Sequence, residues 1–225
     1  MSKRKRSGNP YNGKQRTVGY YDRFKQSSEE LKYYDFVRSS TSIPGETWSM
    51  VAESTVLNMA QGTGPSERIG RKITLKGVFV RLQVTAEGRE DFMARMIVVN
   101  DKQTNGTAMT PSDLFGAGVL GQPNNPDMFS FYELANKNRF RVLHDEYVRV
   151  PVTAPTDASL GLVNSQQIRI DCNKRLNLPM EFSGTTGAVS EIKSYNIRVL
   201  LFIERQPNSV MPMAFECVIR SRYLD

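Results

Sequence analysis

Histidine is nearly missing from this chain: His144 stands alone in 225 residues, and Cys172 and Cys217 are the only cysteines. One imidazole and two distant thiols give no structural-zinc spacing. No spacing marks a carboxylate metal site either, so neither a metal nor a cofactor is expected. No apolar run approaches the ~20 residues of a membrane-spanning helix. The charged N-terminus has no apolar stretch behind it, so it does not read as a secretory signal. Without a secretory route the two thiols are expected to stay reduced. The Asn105-Gly106-Thr107 sequon then reads as a turn. Neither a G-x-x-x-x-G-K-[ST] phosphate loop nor a G-x-S-x-G nucleophile elbow occurs. Gly116 to Gly121 fits G-x-G-x-x-G, but Pro123 and Pro126 follow where a pyrophosphate-binding helix would have to start. His144-Asp145-Glu146 falls in a strand-like run, which puts neighbouring side chains on alternating faces. The sequence is therefore not expected to be an enzyme.

What the chain does have is an uneven charge distribution. Thirty basic and 23 acidic residues leave a net charge of +7. Lys3, Arg4, Lys5, Arg6, Lys14, Arg16, Arg23 and Lys25 stand against Asp22 alone, so the first 25 positions hold the whole excess. The other 200 positions carry 22 charges of each sign. A neutral body with a cationic tail fits a polyanionic partner, because phosphates shed counterions when Lys and Arg replace them. Residues 1–30 show no apolar periodicity and are expected to be a disordered basic arm. Tyr11, Tyr20, Tyr21 and Phe24 lie between its cations. Interleaved aromatics stack on unpaired bases while cations follow the backbone, so all eight basic residues are candidate nucleic-acid contacts, single strands favoured. Lys3 to Arg6 is also a candidate nuclear-import signal.

Residues 31–225 read as β. Ile168, Ile170 and Cys172 alternate with Gln167, Arg169 and Asp171, and the parity runs on to Phe182. Met213, Phe215, Cys217 and Ile219 repeat it. Tyr195 to Glu204 and Met93 to Val99 are nearly continuous apolar runs, as in strands covered on both sides. Between Arg71 and Val84 the parity switches at Gly77, which predicts a bulge or bend. Trp48 to Leu57 and Phe140 to Val150 bring the total to seven or eight strands. Short helical turns are expected at Pro111 to Phe115 and Ser28 to Tyr34. Asp101 to Asn138 is long and irregular. Long loops between many strands fit an all-β fold, a single eight-stranded antiparallel jelly roll, with residues 101–138 and 151–165 as exposed or inter-subunit loops.

Three segments carry a family resemblance. Gln61 to Ile73 (QGTGPSERIGRKI), Asn100 to Gly106 (NDKQTNG) and Asn138 to Asp145 (NRFRVLHD) occur in order behind a basic arm. They resemble the capsid proteins of circular single-stranded DNA viruses, the circovirus-like or CRESS-DNA group, over most of residues 1–150. After Pro151 only the β character matches. The arm is shorter and less basic than the arginine-rich arms of circoviruses, which leaves genus and host open. The resemblance implies an icosahedral (T=1) shell of sixty subunits around circular single-stranded DNA, with the arm inside. It also implies a virion and host-nucleus location, with nuclear import receptors and a host-cell receptor as further partners. Sixty arms of eight cations supply about 480 positive charges. A genome of more phosphates needs small cations, polyamines or inward-facing body residues as well.

Within the first segment, Pro65, Ser66 and Glu67 suit a hydrogen-bonded turn. Glu67, Arg68, Arg71 and Lys72 then gather opposite charges at a strand start. They are either local ion pairs or a candidate subunit interface. Three other readings stay open: the coat protein of a small RNA satellite or plant virus, a monomeric nucleic-acid-binding β-domain, and a jelly-roll enzyme or lectin. The β-domain would carry aromatic and basic residues on a sheet face. The enzyme or lectin would carry a charged or metal-lined pocket.

Overall fold

A computed structural model of the chain describes residues 31–42, 48–51, 55–87, 92–104, 106–116, 126–150, 165–204 and 213–225. The arm, with its eight candidate contacts, and residues 151–164 lie outside the described residues.

Nine strands form two antiparallel sheets: β1 (Leu31–Ser42), β2 (Trp48–Met50), β3 (Lys72–Glu87), β4 (Phe92–Asp101), β5 (Phe140–Val150), β6 (Ser165–Phe182), β7 (Ile192–Ser194), β8 (Asn196–Glu204) and β9 (Met213–Leu224). One sheet has the order β1-β9-β3-β6-β7 and the other β2-β8-β4-β5. The pairings β4–β5, β3–β6, β2–β8 and β1–β9 nest one inside the next. That is a long hairpin wrapped over itself, the eight-stranded jelly roll, with the three-residue β7 added at one edge. The body is a β-sandwich, as its alternation predicts.

The main core lies between the sheets. It takes Ile73, Leu75, Val78, Val80, Leu82 and Val84 from β3 and Phe215, Cys217 and Ile219 from β9. Ala94, Met96 and Val98 from β4 and Val199, Leu201 and Ile203 from β8 face them. The parity switch falls at a bulge between Leu75 and Gly77, seen in the pairings with both neighbours. Here the Gly77 backbone passes close to Lys174: a Cβ on Gly77 would meet the Lys174 carbonyl at 3.0 Å. Cys172 and Cys217 are buried free thiols. Burial pushes both up, Cys217 to about 12, so neither is a reactive thiolate near neutral pH.

β4 and β8 are buried along nearly their whole length. Their second cover is the irregular stretch after β4. Met109, Leu114 and Phe115 pack with Phe140 on the outward side chains Ile97, Val99 and Leu200, making a second small core. The expected helical turn is there, α1 (Pro111–Leu114), closed by Thr110 and Asp113 as a capping box. Of the sequon, Gly106 and Thr107 lie in a turn, with Gly106 at φ 73° and the Thr107 N–H donating to Thr104 O, while Asn105 lies outside the described residues.

Two local expectations are corrected. Leu31 to Tyr34 is extended, because its partner is the far strand β9 and not the residues beside it. The strand from Trp48 stops at Met50, and Val51, Val56 and Leu57 then enter the core from irregular chain.

Candidate functional site

The segment 60–72 is a folded loop pinned from both sides. Gly62 N–H donates to Arg68 O, Arg68 N–H to Ala60 O and Gln61 N–H to Thr185 O. The Glu67 carboxylate turns back to accept the Gly64 N–H at 2.7 Å. It also lies against Gly62, where any Cβ would collide with it. Arg68 departs from the sequence expectation of a surface charge pair. Its side chain is fully buried. Nε donates to Met59 O (3.1 Å), Nη1 to Gly70 O (2.7 Å) and Nη2 to Gly184 O. The guanidinium stacks 4.2 Å over the Phe182 ring. Burial lowers its pKa, opposed by the charges of Glu191 and Asp225. A side chain spent on three carbonyls of its own chain is not available to a second copy. Of the four interface candidates, Arg71 and Lys72 are exposed and Glu67 is partly so.

The final residue locks this loop to β1. Asp225 Oδ2 accepts the Ile69 N–H at 3.0 Å and pairs with Lys32 Nζ at 2.9 Å. Lys32 also donates to Glu67 O. A groove of about 560 Å³ opens beside it, lined by Lys72, Thr74, Glu181, Tyr195 and Asp225 among others. Among the described residues no cluster of three His, Cys, Asp or Glu stands close enough to hold a metal ion.

His144-Asp145-Glu146 separates as alternation predicts. His144 Nε2 meets Glu146 Oε2 at 2.9 Å. Asp145 instead takes Arg95 through both oxygens, at 2.9 and 2.7 Å, and accepts the Tyr132 hydroxyl. Arg95 is buried, donates also to Met128 O, and lies over the Phe115, Tyr132 and Tyr147 rings. This cluster staples the chain around Met128 to Tyr132 onto β4 and β5. Burial alone would raise the Asp145 pKa, but Arg95 and Tyr132 outweigh it, and the carboxyl is held below its ordinary value. Phe129, Phe131 and Leu134 in the same loop remain exposed.

The solvent face of the larger sheet is the surface that sequence reasoning missed. Cross-strand register sets four rungs on it: Tyr33–Arg222–Gly77–Arg175, Asp35–Arg220–Phe79–Asn173, Val37–Val218–Arg81–Asp171 and Glu216–Gln83–Arg169. Five arginines thus share one face with three acids. Asp35 pairs with Arg220, and Asp171 with Arg169 and Arg81. Arg220 and Arg222 lie 5.8 and 6.0 Å from the Tyr33 ring, and Arg81 lies 5.3 Å from the Phe79 ring. The outward half of each alternation carried the signal, but only register shows that Arg175, Arg222 and Tyr33 share a rung.

The order of strands and these surfaces define a jelly-roll β-sandwich with a densely tied loop end and one basic-aromatic sheet face left uncovered by the described residues. No protein-family model matches the chain, and no curated protein sequence matches it.

Proposed function

We propose that this chain is a viral capsid subunit. Its jelly-roll body tiles a closed icosahedral shell of sixty copies, and its basic arm binds a circular single-stranded DNA genome. One observation carries the reading: the whole charge excess sits in the first 25 residues, and the other 200, which hold the jelly roll, carry equal numbers of basic and acidic residues. A body of balanced charge packs against copies of itself without long-range repulsion, and a separate cationic segment meets the polyanion. Phosphate contacts read no sequence, so packaging by the arm is non-specific. The resemblance of residues 61–73, 100–106 and 138–145 to circovirus-like capsid proteins supports the same reading. On this reading the protein resides in the virion and enters the host nucleus through Lys3 to Arg6. Arg71, Lys72 and Glu67 are then its candidate contacts to neighbouring subunits.

Electron microscopy of the purified full-length protein, with absorbance at 260 and 280 nm, tests it. Uniform closed shells carrying nuclease-protected DNA are expected. Protected RNA instead would favour a satellite or plant-virus coat protein. A dispersed, nucleic-acid-free monomer at every salt and pH would overturn the reading. The basic-aromatic sheet face favours a second reading, a nucleic-acid-binding module that stays monomeric. That reading requires binding without shells.

A further inference from the structure

We infer that the solvent face of the β1-β9-β3-β6 sheet is itself a binding surface for single-stranded nucleic acid, centred on Tyr33, Phe79, Arg175 and Arg222. The inference deepens the capsid reading and rests on it for the identity of the ligand. It answers the shortfall of the arms, whose about 480 charges match only a similar number of phosphates.

Three observations carry it. The first is charge. Of the five arginines on the face, Arg220, Arg169 and Arg81 are engaged by Asp35 and Asp171. Arg175 and Arg222 form no ion pair with a described residue, and both are exposed. They flank Gly77 on one rung, so two cations stand either side of a position with no side chain. The second is aromatic surface. Tyr33 is 43% exposed at the end of that rung, and the partly exposed Phe79 sits one rung along. Arginines beside both rings align them with the cations. Rings beside cations are what a sequence-tolerant single strand needs: a platform for the base and a counter-charge for the backbone. A duplex hides its base faces and has no use for the rings. The third is continuity. The rung lies at the end of the sheet where Leu31 opens β1, two residues before Tyr33. The arm therefore joins the body within two residues of this rung. Across four strands at about 4.8 Å spacing, the rung is about 14 Å long.

Ion pairs at the far rungs, and exposed Val37 and Val218 between them, offer an alternative occupant in a second copy of the chain. The free charge at the near rung favours the polyanion.

The test uses full-length protein with the arm charges removed (K3Q, R4Q, K5Q, R6Q, K14Q, R16Q, R23Q and K25Q). Binding of a labelled oligothymidylate of about 20 nucleotides is followed by anisotropy across salt. The arm-neutral protein is expected to bind still. Adding R175Q and R222Q should lower the slope of log K against log salt by about 1.4, from about 0.7 per phosphate contact, and weaken binding about 25-fold at 0.1 M salt. R175K with R222K should keep the slope. Tyr33→Ala should weaken binding roughly 5- to 150-fold at unchanged slope. Equal melting temperatures show that each variant is folded.

An arm-neutral protein that does not bind, or face variants that bind unchanged, overturns the inference. Face variants that alter only sedimentation assign the face to a second copy, which also overturns it. Inorganic polyphosphate that competes as well per phosphate as the oligonucleotide removes the base platform and overturns it likewise. Microscopy of the same preparations separates the two readings. Shells without face binding leave the capsid reading standing, and face binding without shells leaves only this one.

Discussion

Replacing Arg68 by alanine should destabilise the body more than removing any exposed charge on it. The substitution deletes three charge-assisted hydrogen bonds, to Met59 O, Gly70 O and Gly184 O, and a cation–π contact with Phe182. Each such hydrogen bond contributes about 1.5–3 kcal/mol, and the stacked cation about 2. Against that gross loss stands relief of the guanidinium's own desolvation, several kcal/mol for a buried ion. Water entering the vacated space recovers part of the carbonyl hydrogen bonding. The net cost is about 3–5 kcal/mol, which for a body of this size lowers the melting temperature by about 10 °C. Arg68→Lys keeps the charge but lacks the fork, so it should fall between the two.

The assay is thermal unfolding followed by circular dichroism, in salt high enough to keep the chain dispersed. Dispersal matters because self-association of the native state raises the apparent melting temperature by mass action. An Arg68→Ala protein melting within about 2 °C of the parent would refute the reasoning. If that protein also failed to assemble, Arg68 would act between subunits, as the sequence alone allowed.

The Arg95 staple makes a paired prediction. Asp145→Asn should loosen the loop near Met128 to Tyr132 and speed chymotrypsin cleavage at the already exposed Phe129 and Phe131 and at Tyr132, measured as the rate of fragment appearance in limited proteolysis. Because the folded Asp145 pKa is depressed, its contribution is present above the ordinary carboxylate value of about 3.9 and is lost as pH falls through the lower folded value. Parent and Asp145→Asn stabilities, measured by urea unfolding from pH 7 to pH 2, should therefore converge below about pH 4. Gly187→Ala should cost about 2–4 kcal/mol in the same unfolding assay, since φ is +79° and a Cβ would sit 2.5 Å from Met59 O. Gly70→Ala, whose nearest atoms would be 3.8 Å away, should shift stability by no more than about 0.5 kcal/mol.

How much of this was legible follows from where each residue finds its partners. β3, β6 and β9 alternate because one face meets the core and the other water, and that period is written locally. β4 and β8 read as covered on both sides, although nothing local told that the second cover is Met109, Leu114 and Phe115. β1 was illegible because its inward positions include Lys32 and Arg38. Each answers a distant acceptor: Glu67 O and Asp225 for Lys32, and Val51 O for Arg38. Arg68 was misread for the same reason. Its sequence neighbours are Arg71 and Lys72, which suggest surface, whereas its carbonyl acceptors come from positions 59, 70 and 184. Lys32, Arg68 and Arg95 each find at least one partner far away in sequence, at Asp225, Gly184 O and Asp145, and no periodicity encodes that. The same holds for the sheet face, whose rungs exist only once four strands are in register.

The two sheets are not equivalent, and the difference has a direction. Among the described residues, Met109, Leu114 and Phe115 fold over the outer side of β4 and β8, and Phe129, Phe131 and Leu134 beyond them are exposed to solvent. The β1-β9-β3-β6 face has no such cover among the described residues and presents arginines and rings. A shell subunit must offer different chemistry inward and outward, and one side must meet phosphate. The arm precedes β1, an edge strand of the sheet that carries Arg175 and Arg222. On the capsid reading, turning the subunit over would aim Arg175 and Arg222 away from the genome. On the capsid reading, the β1-β9-β3-β6 sheet therefore faces the genome and the loop-covered sheet faces out. Trypsin acting on intact particles should cleave after the exposed Lys137 long before it reaches Arg175 or Arg222, and early cleavage at those arginines would reverse the assignment.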